Sequence, residues 1–297
     1  MAPAPSQCQD RPRERKRFMK PRTVFGVDFS GASQAGRFAW LAELEVTSDR
    51  PKLLRLASLG TRAGTDDRDV VLSWLVDAIR SSEDALWGID APFGLPVELF
   101  DAHASWRDQL AWVGAWPGDA KSLGRALMQR SLDLCGMRHV RRRTDREEHT
   151  PFDCYHYRIV YQTFHAMRDV LGPLSTDAGT VVLPFDPPGL PGTKRAVVEA
   201  CPSSTLRRLG LPRRGYKQPQ GGTLTVERLE VRREILRGLG AHVRFAPSHR
   251  RVMLTNPGGD AIDAVFAALG AWSAFRREDV AAMASDPRVS REGWVFA

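Results

Sequence analysis

Five acidic residues stand where a metal-dependent phosphodiester chemistry would need them: Asp28, Asp90, Glu199, Asp260 and Asp263. Asp28 ends the apolar run Val24-Phe25-Gly26-Val27, Asp90 ends Leu86-Trp87-Gly88-Ile89, and Glu199 ends Ala196-Val197-Val198. A charge delivered by a buried strand is costly to desolvate unless something compensates it. Several such acids converging on Mg²⁺ or Mn²⁺ would remove that cost and supply the hard oxygen ligands these cations take. Asp260 and Asp263 open a small-residue helical run, three residues apart and so on one face. Like charges there repel, and a shared cation would resolve the conflict. Each acid also has an ordinary reading: turn acceptor for Asp28, helix cap for Asp90, Arg partner for Glu199, and a favourable helix-start charge for Asp260.

The elements that must position these acids follow from the hydrophobic pattern. Strand-like runs cover residues 23–28, 38–46 and 52–59, and the short turns between them suggest an antiparallel meander. Helical spacing over 67–81 precedes the strand that ends at Asp90, a crossover onto a parallel partner. Residues 92–192 break the pattern, with helical stretches at 124–135 and 155–171 between loops containing Trp and Pro, and read as an α-rich insertion. A strand over 195–201 and helices over 225–239 and 260–275 complete the chain, and the tail Gly293-Trp294-Val295-Phe296 reads as a last strand or a packed end. The expected organisation is a basic, disordered arm over 1–20 and a single α/β domain over 21–297.

The signatures Gly26-Val27-Asp28, Gly88-Ile89-Asp90-Ala91-Pro92-Phe93-Gly94-Leu95-Pro96, Glu199-Ala200-Cys201-Pro202 and Gly259-Asp260-Ala261-Ile262-Asp263-Ala264 resemble those of the predicted nucleases grouped as domain of unknown function 429. The resemblance runs from about residue 22 to the end of the chain. It implies a ribonuclease H-like fold: a mixed five-stranded sheet flanked by helices, with the α-rich insertion between the fourth and fifth strands. It also implies that Asp28 and Asp90 are strand-borne metal ligands, that Asp260 with Asp263 is their helix-borne partner, and that Glu199 matches the family's strand acid. Gly215-Tyr216-Lys217 resembles the family's Lys-bearing segment, which makes Lys217 a substrate-binding candidate.

Composition is consistent with that reading. The 297 residues are 42% hydrophobic and 26% charged, ordinary globular material. Lys and Arg number 43 against 35 Asp and Glu, a net charge of +8, which favours a polyanionic partner such as nucleic acid. The dense run Arg138 to Arg146, and Arg141, Arg142 and Arg143 within it, suits phosphate contact through guanidinium forks. The four cysteines form no Cys-x-x-Cys pair, and Cys135, His139, Cys154 and His156 match no familiar zinc spacing, so reduced thiols in a cytoplasmic protein are expected. No stretch approaches a membrane span. The leading expectation is metal-dependent hydrolysis of nucleic-acid phosphodiesters. Two other readings stay open. One is an ATP-binding phosphotransferase like actin, Hsp70 and the sugar kinases, with Asp28-Phe29-Ser30-Gly31 around the phosphates and Pro257-Gly258-Gly259 near the adenosine. The other is a catalytically silent nucleic-acid-binding module.

Overall fold

The structure is a computed structural model that describes residues 19–218 and 222–297; the expected basic arm over 1–20 lies almost wholly outside the described residues. Seven strands form one mixed sheet: β1 (Thr23–Asp28), β2 (Trp40–Glu45), β3 (Lys52–Ser58), β4 (Ala85–Asp90), β5 (Thr180–Leu183), β6 (Arg195–Ala200) and β7 (Val295–Phe296). Their order is β3-β2-β1-β4-β6-β5, with β7 paired to β6 beyond the end of β5. The meander β1–β2–β3 is antiparallel, whereas β1, β4, β6, β5 and β7 run parallel. The expected five-strand sheet is therefore too small. The additional strands are β5 and β7, of four and two residues. Neither is long enough to show an alternating pattern, and β5 sits between a turn and a proline-rich loop where a fully buried edge strand reads as loop.

Helices cover both faces. On one face lie α1 (Arg68–Ser81), α2 (Trp106–Gly114), α3 (Ala120–Cys135) and α4 (Val160–His165), which pack with Phe25, Val27, Trp87, Ile89 and Val197 of the sheet. On the other lie α5 (Pro202–Arg208), α6 (Val226–His242), α7 (Pro247–Thr255) and α8 (Asp260–Arg277), packed with Val24, Leu86, Ala196 and Val198. The stretch between β4 and β6 is thus the second helical layer, and it contributes an edge strand. Alternation along β1 and β4 explains the two cores, since successive side chains point to opposite faces.

One contact sets the position of α8. Gly26 and Gly88 occupy matching places on β1 and β4, and both face α8. A Cβ at Gly26 would lie 2.1 Å from the Ala264 carbonyl oxygen and 2.3 Å from the Ala268 nitrogen; one at Gly88 would lie 2.6 Å from the Ala271 Cβ. The helix answers with Ala264, Ala267, Ala268 and Ala271, all buried. Helix backbone and strand backbone meet with almost no side chain between them. The Gly26→Ala variant should lose about 1–3 kcal/mol or more, because the obstacle is backbone that cannot rotate away. Chemical denaturation measures this, and an unchanged midpoint would mean that α8 can shift outward freely.

Candidate active site at the carboxyl ends of the strands

Strands β1, β4 and β6 are parallel, so their carboxyl ends open at one edge, the usual location of a ligand crevice in such sheets. Asp28 and Asp90 are direct cross-strand partners there. Adjacent strands lie about 4.8 Å apart, and register partners in a parallel pair point to the same face. That face is the one covered by α8, whose first turns carry Asp260 and Asp263. Asp263 is 1% exposed and Asp28 8%, and no side-chain hydrogen bond or ion pair reaches the carboxylate of Asp28 or Asp90 among the described residues.

Glu199 behaves differently. Its register partner is Ile89, so it points to the opposite face. There it accepts hydrogen bonds from the Phe93 N–H at 2.8 Å and from both terminal nitrogens of Arg142, at 2.8 and 2.5 Å. Arg142, 1% exposed, also binds Asp145 at 2.9 Å and the Glu292 carbonyl at 3.2 Å. This buried latch joins β6, the loop after β4 and the segment before β7. The two neighbours of Arg142 are engaged as well: Arg141 donates to Thr150, and Arg143 pairs with Glu147 at 2.7 Å and Asp286 at 3.1 Å. The run leaves fewer free donors for a phosphate than its density in the sequence suggests.

Lys217 is brought to the acids. Its ammonium pairs with Asp263, whose other carboxylate oxygen accepts the Tyr216 hydroxyl hydrogen at 2.6 Å. The segment is anchored by Arg232, 0% exposed, whose guanidinium donates to the carbonyls of Tyr216, Met253, Leu254, Asn256 and Pro257. Arg232 therefore ties the Lys217 segment to the turn that launches α8. In sequence it was one charge on an apparently amphipathic helix, with nothing to mark it.

These groups surround a cleft of about 520 Å³ with Asp28, Asp90, Glu199 and Asp263 on its floor and Lys217 beside them. Arg158, Arg213 and Arg214 lie on its rim. Arg158 rests over the Phe152 and Tyr157 rings, Arg213 donates to Ser203 and to the His149 carbonyl, and Arg214 is exposed with no ion pair among the described residues. The signal that could have found the last two was the basic pair just before Gly215-Tyr216-Lys217.

Electrostatics mark the floor. Burial, then the Asp263 charge, pushes the Asp28 carboxyl well above the usual range; Lys217 opposes this, and Asp260 and Asp90 add to it. Asp90 is raised to about 8 by burial first and then Asp263, against Lys217. Burial raises Asp260 and Glu199 too, opposed by Lys217 in the first case and Arg142 in the second. Burial would lower the Lys217 pKa, but Asp263, Tyr216 and Asp28 outweigh it and hold the ammonium firmly protonated. The Cys201 thiol is driven up to about 12 by burial and Asp90, which leaves it a poor nucleophile.

A carboxyl whose folded pKa exceeds its unfolded value favours folding below the unfolded pKa, and that contribution disappears as pH rises through the folded one. For Asp90 the window runs from about 4, its unfolded value, to about 8. The metal-free protein should therefore melt lower at pH 9 than at pH 6, and Asp90→Asn should flatten the slope. Melting curves in chelator across that range test it; parallel profiles for the two proteins would refute it.

Among the described residues no three or more His, Cys, Asp or Glu side chains are grouped so as to hold a metal ion, neither at the acids nor around Cys135, His139, Cys154 and His156. Two of the latter have other roles, since His139 pairs with Asp153 at 3.1 Å and Cys154 is buried with its thiol pKa raised. The donor chemistry at the acids nevertheless fits a hard divalent cation, because the buried Asp28 carboxyl and its neighbour Asp90 have no side-chain hydrogen-bond partner among the described residues.

The profile of the family described as "Protein of unknown function (DUF429)" matches residues 26–288. The chain belongs to this DUF429 family. Its match begins at Gly26, takes in all five acids and Lys217, and spans both helical layers. No curated protein and no solved structure gives a significant match. Among the described residues no helix is long and apolar enough to cross a membrane.

Proposed function

We propose that the chain is a divalent-metal-dependent nuclease of ribonuclease H-like fold, hydrolysing nucleic-acid phosphodiester bonds in the cleft at the carboxyl ends of β1, β4 and β6. The observation that carries this is the pair Asp28 and Asp90, side by side on adjacent strands, the first buried and the second partly buried, neither with a side-chain hydrogen-bond partner among the described residues, on the face covered by the helix of Asp263. The order β3-β2-β1-β4-β6, with an antiparallel meander leading into parallel strands, supports the fold reading.

Asp28, Asp90 and Asp263 would hold Mg²⁺ or Mn²⁺, with Asp260 adding negative charge nearby. Such a cation, when bound, lowers the pKa of a coordinated water and stabilises the leaving oxygen. The chain's own residues do the rest. Glu199 acts from behind: through the Phe93 N–H it fixes the loop that follows Asp90, and Arg142 fixes Glu199 in turn. Arg158 and Arg214, free of acidic partners among the described residues, receive the phosphates at the rim. The net charge of +8 accelerates encounter with a polyanion at low salt.

The phosphotransferase reading ranks below this because its glycines are covered. A Cβ at Gly31 would lie 2.3 Å from the Tyr161 carbonyl oxygen, and one at Gly259 would lie 3.0 Å from the Tyr216 ring. Both glycines are buried, so neither offers its own backbone to a nucleotide. A silent binding module would leave the burial of Asp28 uncompensated.

The test is cleavage of single-stranded and duplex DNA and RNA with Mn²⁺, Mg²⁺ or chelator, alongside binding as a function of salt. Arg158→Ala with Arg214→Ala should weaken binding and reduce the salt slope by about 2, one for each lost phosphate contact. An unchanged slope would place the substrate elsewhere, and absence of cleavage with either metal on every substrate would overturn the nuclease reading.

A further inference from the structure

We propose that the Lys217 ammonium is the resident counter-cation of this acid cluster and that Lys217 and a divalent metal exclude one another from Asp263. The inference rests on the metal-dependent reading above and adds a mode of regulation to it. Three observations lead to it. Lys217 is ion-paired to Asp263, an acid 1% exposed at the cleft floor. Asp28, 8% exposed, takes no side-chain hydrogen bond among the described residues and lines the same cleft as Lys217. The donors for a metal are present, yet no group of three is closed among the described residues.

The physical argument is charge balance. Asp28 and Asp90 are register partners, Asp260 and Asp263 open the helix that covers the same face, and the burial of Asp28 and Asp263 makes repulsion among these acids expensive. One ammonium offsets part of it and makes the empty site tolerable. A divalent cation brought to Asp263 would meet that ammonium at close range, where like charges repel strongly. One of the two must leave. The side chain is built for leaving: it is half exposed, its stem is flexible, and its backbone is held independently by Arg228, which donates to the Lys217 carbonyl at 2.9 Å. Tyr216, in contrast, is buried and keeps its hold on the other Asp263 oxygen. Metal entry therefore swings Lys217 toward the mouth of the cleft, where the arginines of the rim already gather. The same residue that balances the empty site then faces incoming phosphate once metal is loaded.

Calorimetric titration of the full chain with MnCl₂ tests this, comparing wild type with Lys217→Met, Lys217→Gln and Lys217→Arg. The neutral variants should bind Mn²⁺ more tightly by about tenfold or more, within the usual range for coupling between competing ligands, and the Arg variant should resemble wild type. They should also melt lower than wild type in chelator and gain more on adding Mn²⁺. A wild-type readout guards against misfolded variants: acetylation of Lys217 by an amine-reactive ester, followed by mass spectrometry, should rise when Mn²⁺ is added. Equal or weaker metal binding by the neutral variants, or acetylation unmoved by Mn²⁺ that does bind, would overturn the exclusion and leave the metal site standing. Binding of no Mn²⁺ by any form would overturn both, and Lys217 would be a structural ion pair.

Discussion

On the proposed nuclease reading, the Asp28→Asn variant should fold, melt at or above the wild-type temperature in chelator, and lose metal-dependent cleavage by about 100-fold or more. The loss follows from charge: an amide keeps the size of a carboxylate but not the anionic oxygen that a hard divalent cation takes, and even residues one shell further out typically cost 10- to 100-fold. The gain follows from burial. Asp28 is 8% exposed, accepts no side-chain hydrogen bond among the described residues, and sits beside Asp90 and Asp263, so in the empty site its charge is a liability. An active-site ligand and a structural residue thus give opposite signatures here, one gaining stability as it loses function. Paired melting curves and cleavage assays separate them. If Asp28→Asn cleaves as well as wild type, Asp28 is a turn residue, and the pair with Asp90 has no bearing on catalysis.

Arg142→Ala should be the most destabilising single substitution among the residues discussed, at about 3–5 kcal/mol, the usual cost of removing one partner from a buried ion pair. Glu199 and Asp145, 2% and 1% exposed, would lose their shared guanidinium, and the Glu292 carbonyl would lose a donor. Removing the stranded charge as well should restore part of the loss, so Arg142→Ala with Glu199→Gln should be less destabilised than the sum of the single changes. Glu199→Gln alone leaves Arg142 paired with Asp145 and should cost less. Urea denaturation of the four proteins supplies the cycle. The same set decides what Glu199 is: a latch residue leaves Mn²⁺ affinity nearly unchanged when made neutral, and a tenfold loss of affinity would make it a ligand.

Much of the frame was legible in the sequence because the central strands announce themselves. Thr23–Asp28 and Arg195–Ala200 are buried between neighbours, so their apolar runs are nearly continuous and end sharply at an acid. α1 and α8 follow from spacing and from acids in their first turns. The pairing of Asp28 with Asp90 was not legible, since register depends on tertiary contacts, and it is what puts the two strand-end acids side by side. Nor was the face of Glu199, which a single-residue difference in register against β4 reverses. The inward placement of Arg142 was hidden for a related reason: it sits among exposed-looking cations, and only the fold shows that two acids in separate segments draw it inside. Lys217 entered through resemblance, but its pairing with Asp263 depends on Arg232, a contact between elements that no local pattern encodes.

The close seating of α8 on Gly26 also bears on how the molecule folds. Asp28 lies near one end of the sequence and Asp263 near the other, and the helix carrying the second can dock only on a strand pair already formed from the first. β1 must find β4, and β4 must find β6, across long intervening stretches, so loop-closure entropy is spent before these contacts repay it. The cleft should thus be among the last parts of the molecule to form. In a refolding experiment, Mn²⁺ binding should appear after the bulk of the helical signal, and a chain shortened before α8 should retain helices while binding no metal. On the proposed reading, the site would thus stay closed to metal and substrate until both β1 and α8 have been made and docked.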